Sequence, residues 1–172
     1  SINAFVQRND QDSATSYLSK FARVMRLVLE NSRHAEVPLN DDLEALRGYL
    51  DLERMRMEKK FDFTITVDPG IDPENVMVPP LVVQPFVENA IWHGLMNKEE
   101  RGALRVAITK EGEELRVLIE DNGVGRKKAE EIKSAQGQRE RSFGMRITAE
   151  RMELSARTLG INLRSVIEDL LD

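Results

Sequence analysis

The chain has 172 residues, of which 41% are hydrophobic and 32% are charged, which fits a globular domain with a real core and appended helices rather than a disordered chain. The formal net charge of −5 argues against nucleic acid as the main partner, and the absence of cysteine excludes disulfides and thiolate metal sites. The longest apolar run, around residues 76–83, contains two prolines and is far shorter than the roughly 20 residues that a membrane-spanning helix needs.

The first predicted element is a helix over residues 10–32. Its hydrophobic residues recur near helical spacing at Leu18, Phe21, Met25 and Leu29. Asp12 or Ser13 is placed to cap its N-terminus. One short helical hairpin does not bury this stripe fully, so the pattern favours a homodimeric bundle, with packing against the rest of the same chain as the alternative.

A second helix is predicted over residues 38–60, with Asn40 or Asp41 as its cap. Its hydrophobic side carries Leu43, Leu46, Leu50 and Met57. The periodicity then becomes alternating, and residues 61–67 (FDFTITV) form a half-buried strand. The remaining predicted elements, in chain order, are a loop at 69–73, a helix at 82–94, a hairpin of strands 104–110 and 115–121, a polar segment at 126–141, a helix at 143–159 and a strand at 161–167. Because strands and helices do not simply alternate, we predict an α+β fold with one mixed sheet and helices on one face.

The helix over residues 82–94 (VVQPFVENAIWHG) carries polar groups within an apolar run. Its hydrophobic stripe, which can lie on the sheet, consists of Val83, Val87, Ala90 and Ile91. Asn89 and His93 share the other side of the helix with Trp92, and Glu88 lies about 100° further round. An amide oxygen and a carboxylate at one cavity suit a hydrated Mg²⁺, and the alternative is an amphipathic helix whose polar side meets solvent.

Two glycine-containing motifs follow. DNGVG, from Asp121 to Gly125, comes directly after a strand, where a carboxylate can accept a hydrogen bond from an exocyclic amine such as that of adenine. Asp-Asn-Gly is also a common plain turn. SFGMR, from Ser142 to Arg146, places a serine and a glycine at a helix start, which favours an anion such as phosphate, with ordinary helix capping as the alternative.

The order of these motifs is more specific than any one of them. The chain resembles the ATP-binding catalytic domain of sensor histidine kinases, within the GHKL ATPase superfamily. PPLVVQPFVENAIWHG is most similar to the LytS/YehU-type branch, whose N box follows the pattern Q-P-x-x-E-N-A-x-x-H-G. The resemblance implies a two-layer α/β sandwich of the Bergerat type, preceded by dimerisation-type helices, with ATP and Mg²⁺ as cofactors.

The resemblance also implies roles for individual residues. Asn89 matches the residue that coordinates Mg²⁺, Asp121 matches the one that binds the adenine amino group, and Glu88 is the candidate catalytic base. The other residues implied to contact the nucleotide are His93, Gly123, Gly125, Ser142, Phe143, Gly144 and Met145. Residues 126–141 match a mobile lid over the nucleotide.

Trp92 departs from the family pattern, because many members carry a lysine there that is thought to meet the phosphates. We expect a nearby cation to replace it, with Arg139, Arg141 and Arg146 as the candidates. The two histidines of the chain, His34 and His93, do not lie where a phosphoacceptor is expected. We therefore expect a fragment that binds Mg-ATP without autophosphorylating, and that ends before the final strand of its domain.

These expectations divide the chain into a partial dimerisation hairpin (1–33), a linker and connecting helix (34–60), and an ATP-binding catalytic domain (61–172). The implied function is transfer of the ATP γ-phosphoryl group to a histidine upstream of the fragment and then to an aspartate of a response regulator. The implied partners are a second copy of the chain and that regulator, with no nucleic acid and no direct membrane contact, in the cytoplasmic part of a membrane-bound receptor. The alternatives are an anti-sigma-factor-type serine kinase and a degenerate, non-catalytic nucleotide-binding module.

Overall fold

The computed structural model describes residues 10–58, 60–112 and 114–125. The helices are α1 (Gln11–Asn31), α2 (Leu39–Arg56) and α3 (Gln84–Asn89), and α3 continues as a π-helix over Ala90–Leu95. The strands are β1 (Val37–Pro38), β2 (Phe61–Val67), β3 (Met77–Val78), β4 (Gly102–Glu111) and β5 (Glu114–Asp121). The predicted lid, the helix over 143–159 and the strand over 161–167 lie outside the described residues, as do Ser142, Phe143, Gly144 and Met145.

The main sheet has three strands in the order β2-β4-β5. β2 runs parallel to β4, with Phe61 opposite Gly102 and Val67 opposite Ile108, whereas β4 and β5 form an antiparallel hairpin. The hairpin turn contains Gly112, whose φ of +63° lies in the left-handed region that glycine adopts without strain. The predicted strand, hairpin and mixed sheet are therefore confirmed within the described part of the chain.

A second sheet pairs β1 with β3 in antiparallel register, with Val37 opposite Val78. The sequence did not predict it, because strands of two residues carry no periodicity. Val37 and Val78 are both buried, so this small sheet attaches the start of α2 to the segment that precedes α3. It closes a loop of about forty residues through two residue pairs, Val37 with Val78 and Pro38 with Met77.

The helix caps differ from those predicted. Asp10 caps α1, because its Oδ1 accepts a hydrogen bond from Ser13 N at 3.0 Å, so the prediction of Asp12 or Ser13 is wrong. α2 has no side-chain cap, and the prediction of Asn40 or Asp41 is also wrong. The first N–H groups of α2 donate instead to backbone carbonyls of the 73–76 loop, with Leu39 N on Val76 O at 2.8 Å and Asn40 N on Pro73 O at 2.9 Å. These bonds satisfy the donors that a cap would otherwise serve.

One hydrophobic core joins α2, the helix over 84–95 and one face of the sheet. Its members on the helices and their capping positions include Leu43, Leu46, Leu50, Met57, Val83, Val87, Ala90, Ile91 and Leu95. Those on the strands include Phe61, Leu104, Val106 and Ile108. The predicted hydrophobic sides of both helices are thus confirmed, and the α+β architecture is compatible with a two-layer sandwich.

α1 packs lengthwise on α2. The helices approach closely at Gly48, where an added Cβ would lie 2.6 Å from Val24 Cγ2. Asn31 is buried at the end of α1 and donates from Nδ2 to the backbone carbonyl of Asp41 at 3.3 Å. The predicted stripe is not covered by the described residues, and its members are exposed by 39–58%: Leu18, Phe21, Met25 and Leu29.

Candidate functional site

The DNGVG motif forms a tight turn directly after β5. Asn122 anchors the turn to β4, because its Oδ1 accepts from Ala103 N at 2.7 Å and its N–H donates to Ala103 O at 3.2 Å. Gly123 N donates to Asp121 Oδ1 at 2.9 Å, which fixes the orientation of that carboxylate. Gly125 has a φ of +77°. Asp121 is therefore exposed at a strand end and held in one orientation by the turn that follows it.

The same turn lies directly against the N-box helix, defined here as α3 and its π-helical continuation (residues 84–95). A Cβ at Gly94 would collide with Asp121 Oδ1, and a Cβ at Gly123 would collide with the backbone of Gly94. Val124 N donates to Gly94 O at 3.3 Å. Two glycines thus allow the helix to contact the carboxylate of Asp121, which is predicted to bind adenine. Gly94 ends the N-box sequence but was not among the predicted site residues.

The N-box helix is not a regular α-helix. Its first part ends at Asn89, and residues 90–95 follow π-helical geometry, with Met96 N donating to Ile91 O at 2.8 Å. The predicted helix is confirmed over residues 84–95, but a short apolar periodicity does not reveal its change from α to π geometry. Single π-turns occur often at functional sites, and this one begins immediately after the candidate metal ligand. Asn89 and His93 are both half-buried.

The N-terminal approach to this helix is held by a buried carboxylate of α2. Asp42 is 2% exposed, and its Oδ1 accepts a hydrogen bond from Leu81 N at 2.5 Å. Leu81 has a φ of +59°, which is uncommon for a residue with a side chain. Burial raises the pKa of Asp42 from 3.8 to about 6, and the Leu81 N–H opposes part of that rise. Sequence reasoning missed this residue, because nothing in the pattern of α2 links it to a loop 39 positions later.

Glu88 lies on the side of the N-box helix that approaches α2. Its Oε1 accepts from Gln84 Nε2 at 2.8 Å. The pKa of Tyr49 in α2 is raised, first by burial, then by the charge of Glu53 and then by that of Glu88. The structure thus places Glu88 beside Gln84 and close to Tyr49.

Trp92 also contacts α2. The guanidinium carbon of Arg56 lies 4.2 Å from the centroid of the Trp92 ring, within cation–π distance. The Trp92 indole is hydrogen-bonded to the Tyr49 hydroxyl, and because indole only donates, the hydroxyl oxygen accepts. The cation next to Trp92 among the described residues is therefore Arg56. The predicted substitutes Arg139, Arg141 and Arg146 lie outside those residues.

Comparison with known proteins identifies the relatives of this chain. A family model described as histidine kinase matches residues 1–61. The sensor histidine kinase/phosphatase LytS of Staphylococcus aureus (strain MRSA252) is 33% identical over 125 residues, which are 72% of this chain and 21% of that protein. The chain belongs to the LytS-type sensor histidine kinase family. The sensor protein LytS of Oceanobacillus iheyensis is likewise 33% identical over 118 residues, 69% of this chain and 20% of that relative. The LytS-type chain thus spans about a fifth of the length of these two relatives.

Two further properties of this LytS-type chain concern metals and membranes. Among residues 10–58, 60–112 and 114–125, no three His, Cys, Asp or Glu side chains cluster in a way that could hold a metal ion. The helices in the same residues are too short or too polar to cross a membrane.

Proposed function

We propose that this chain is the ATP-binding catalytic part of a LytS-type sensor histidine kinase, with a Bergerat-type fold. The kinase would transfer the γ-phosphoryl group of ATP to a histidine and then to an aspartate of a response regulator. The observation that supports this proposal most strongly is the contact of Gly94 with Asp121 and Gly123. It joins the asparagine-bearing helix to the carboxylate turn, which are the two halves that a nucleotide site of this type requires.

The proposed roles follow from the chemistry of each group. Asn89 offers an amide oxygen, a hard ligand that suits Mg²⁺. Asp121 offers a carboxylate that can accept from an adenine amino group, and its hydrogen bond from Gly123 fixes its direction. Gly123 and Gly125 leave room for the base to approach the backbone. His93 precedes Gly94 in the N-box helix, and its imidazole is proposed to contact the nucleotide.

The bound metal would supply positive charge that neutralises the phosphate oxygens in the transition state. The chain itself contributes positioning, since Asn89 and Asp121 hold the two ends of the nucleotide. Glu88 is the proposed base, and the hydrogen bond from Gln84 would keep its carboxylate in one orientation. Ser142, Phe143, Gly144 and Met145 are proposed to meet the phosphates; they lie outside the described residues.

Calorimetric titration with ATP, in the presence and absence of Mg²⁺, tests the site. Asp121→Asn retains an oxygen for Gly123 N but removes the charge, and it should weaken ATP binding about tenfold or more. Asn89→Ala should remove the increase in affinity that Mg²⁺ gives. Asp68→Asn is the matched control, because Asp68 Oδ1 accepts from Gly70 N at 2.8 Å in a similar turn directly after β2.

The control should bind ATP like the wild-type chain. If Asp121→Asn and Asp68→Asn bind ATP equally well, the adenine assignment is wrong. If the wild-type chain, folded by circular dichroism, gives no heat with Mg-ATP, the proposed function is wrong as a whole.

We also propose that α1 pairs with a second copy of the chain. The exposed stripe on α1 consists of four large apolar side chains at helical spacing, the pattern that a helical bundle buries. The family relationship supports the same partner, and it supports a response regulator as the second one.

A further inference from the structure

A cluster of polar and aromatic side chains joins α2 to the N-box helix and is called here the Trp92 cluster. Its members are Tyr49, Glu53, Arg56 and Trp92. Arg56 donates from Nε to Glu53 Oε2 at 2.9 Å and stacks on the Trp92 ring. The Trp92 indole donates to Tyr49. Each side chain of the cluster thus contacts another across or along α2.

The cluster is partly shielded from solvent, which strengthens its interactions. Glu53 is 9% exposed, and the Arg56 side chain is 22% exposed. An ion pair and a cation–π contact gain strength when water is partly excluded. Tyr17 of α1 lies close as well, because its pKa is raised first by burial and then by the charge of Glu53, while Arg56 acts in the opposite direction. Tyr17 of α1 is therefore within electrostatic range of Glu53 and Arg56 in this cluster.

Trp92 is three residues after Asn89, so the two side chains lie on neighbouring parts of the same helix surface. Between them the helix changes from α to π geometry. Contacts that fix the Trp92 ring therefore also limit how the turn carrying Asn89 can rotate. Outer partners that orient a metal ligand in this way commonly control metal affinity without touching the metal.

We propose that Tyr49, Glu53 and Arg56 are positioning residues that hold Trp92 and, through it, orient Asn89 for Mg-ATP. This inference rests on the proposed function and adds residues of α2 to it. It gives Trp92 a role of its own, although many family members carry a lysine at this position. It also makes the connecting helix α2 part of the metal-binding geometry.

The test is a double-mutant cycle on the Mg²⁺-dependent part of ATP affinity, measured by calorimetry with ATP and with ATP plus Mg²⁺. Arg56→Met keeps the aliphatic stem but removes the stacked charge, and Trp92→Leu removes the ring. Arg47→Met is the matched control, because Arg47 is an exposed arginine of the same helix. Trp92 is the only tryptophan of the chain, so its fluorescence reports on the cluster directly.

We expect Arg56→Met to shift the Trp92 emission and to reduce the Mg²⁺-dependent affinity about tenfold, with metal-free ATP binding unchanged. In the Trp92→Leu background the same substitution should have no further effect, because Arg56 acts through the ring. Arg47→Met should behave like the wild-type chain in both measurements.

If Arg56→Met lowers the melting temperature but leaves the Mg²⁺-dependent affinity unchanged, the cluster has only a structural role and the inference is overturned. Additive effects in the cycle would also overturn it, because Arg56 would then act independently of Trp92. A wild-type chain that binds ATP but shows no gain with Mg²⁺ refutes the Asn89 assignment as well. A wild-type chain that binds no nucleotide refutes the proposed function, so the two failures are distinguishable.

Discussion

Replacing Asp42 with asparagine is expected to remove a pH dependence of stability that the wild-type chain shows between about pH 4 and pH 6. Asp42 is buried, so its neutral form is favoured in the fold, and its pKa rises from 3.8 to about 6. A carboxyl group with a raised pKa stabilises the fold fully below its unfolded pKa. That contribution is lost as the pH rises through the folded pKa.

The size of the effect follows from the two pKa values. The interval from 3.8 to about 6 corresponds to about 3 kcal/mol of unfolding free energy. Asparagine does not titrate and still offers an oxygen to Leu81 N, so the variant should lack this term. The difference in unfolding free energy, variant minus wild type, should therefore grow by about 3 kcal/mol in favour of the variant between pH 3 and pH 7. Any constant cost of the buried amide cancels in this comparison.

Urea unfolding followed by far-ultraviolet circular dichroism at a series of pH values measures this difference. Asp41→Asn removes the same charge from the neighbouring position and serves as the matched control. Its curve should stay parallel to that of the wild-type chain. Parallel curves for Asp42→Asn and the wild-type chain would show that Asp42 is ionised in the fold at no cost, and the argument from burial would be refuted.

Three further substitutions test the packing. Gly48→Ala should lower the unfolding free energy by about 1–3 kcal/mol in urea titrations, because its Cβ would meet Val24. Val24→Ala should relieve part of that loss, and equal losses in both backgrounds would contradict the contact. Gly94→Ala should displace Asp121 and reduce ATP affinity in calorimetry about tenfold, whereas unchanged affinity would separate that carboxylate from the site. Leu29→Asp should make a dimeric chain monomeric in analytical ultracentrifugation, with little change in melting temperature because Leu29 is 58% exposed. A variant that remains dimeric would place the interface elsewhere.

Periodicity in the sequence predicted the long elements well. β2 alternates between buried and exposed residues, and the stretch over 104–121 contains a turn flanked by two alternating runs, so both were recognisable. The hydrophobic side of α2 follows from helical spacing. In each case the burial of one face determines the pattern that the sequence shows.

Features that depend on distant partners were not predictable in this way. β1 and β3 exist because Val37 and Val78 pair across forty residues. The helical pattern of α2 gives no reason to expect a buried Asp42, because its burial depends on the hydrogen bond from Leu81 N. The caps were misassigned because several acceptors compete at each helix start, and at α2 backbone carbonyls win.

The candidate site was likewise predictable only in part. Motif spacing indicated Asn89 and Asp121, and the structure brings the end of the asparagine-bearing helix against the aspartate through Gly94. Spacing did not reveal that Trp92 stacks with Arg56, because that contact joins residues from separate helices. A single sequence offers no local signal for it.

The pairing of β1 with β3 has a practical consequence for protein engineering. A chimera that exchanges α1 for a signalling helix from elsewhere should be spliced within residues 32–36. A splice after Lys60 would remove α2, and Phe61 and Val87 would then lose the α2 leucines with which they share one core. The graft point is therefore set by the pairing of Val37 with Val78, which keeps α2 attached to the segment before the N-box helix.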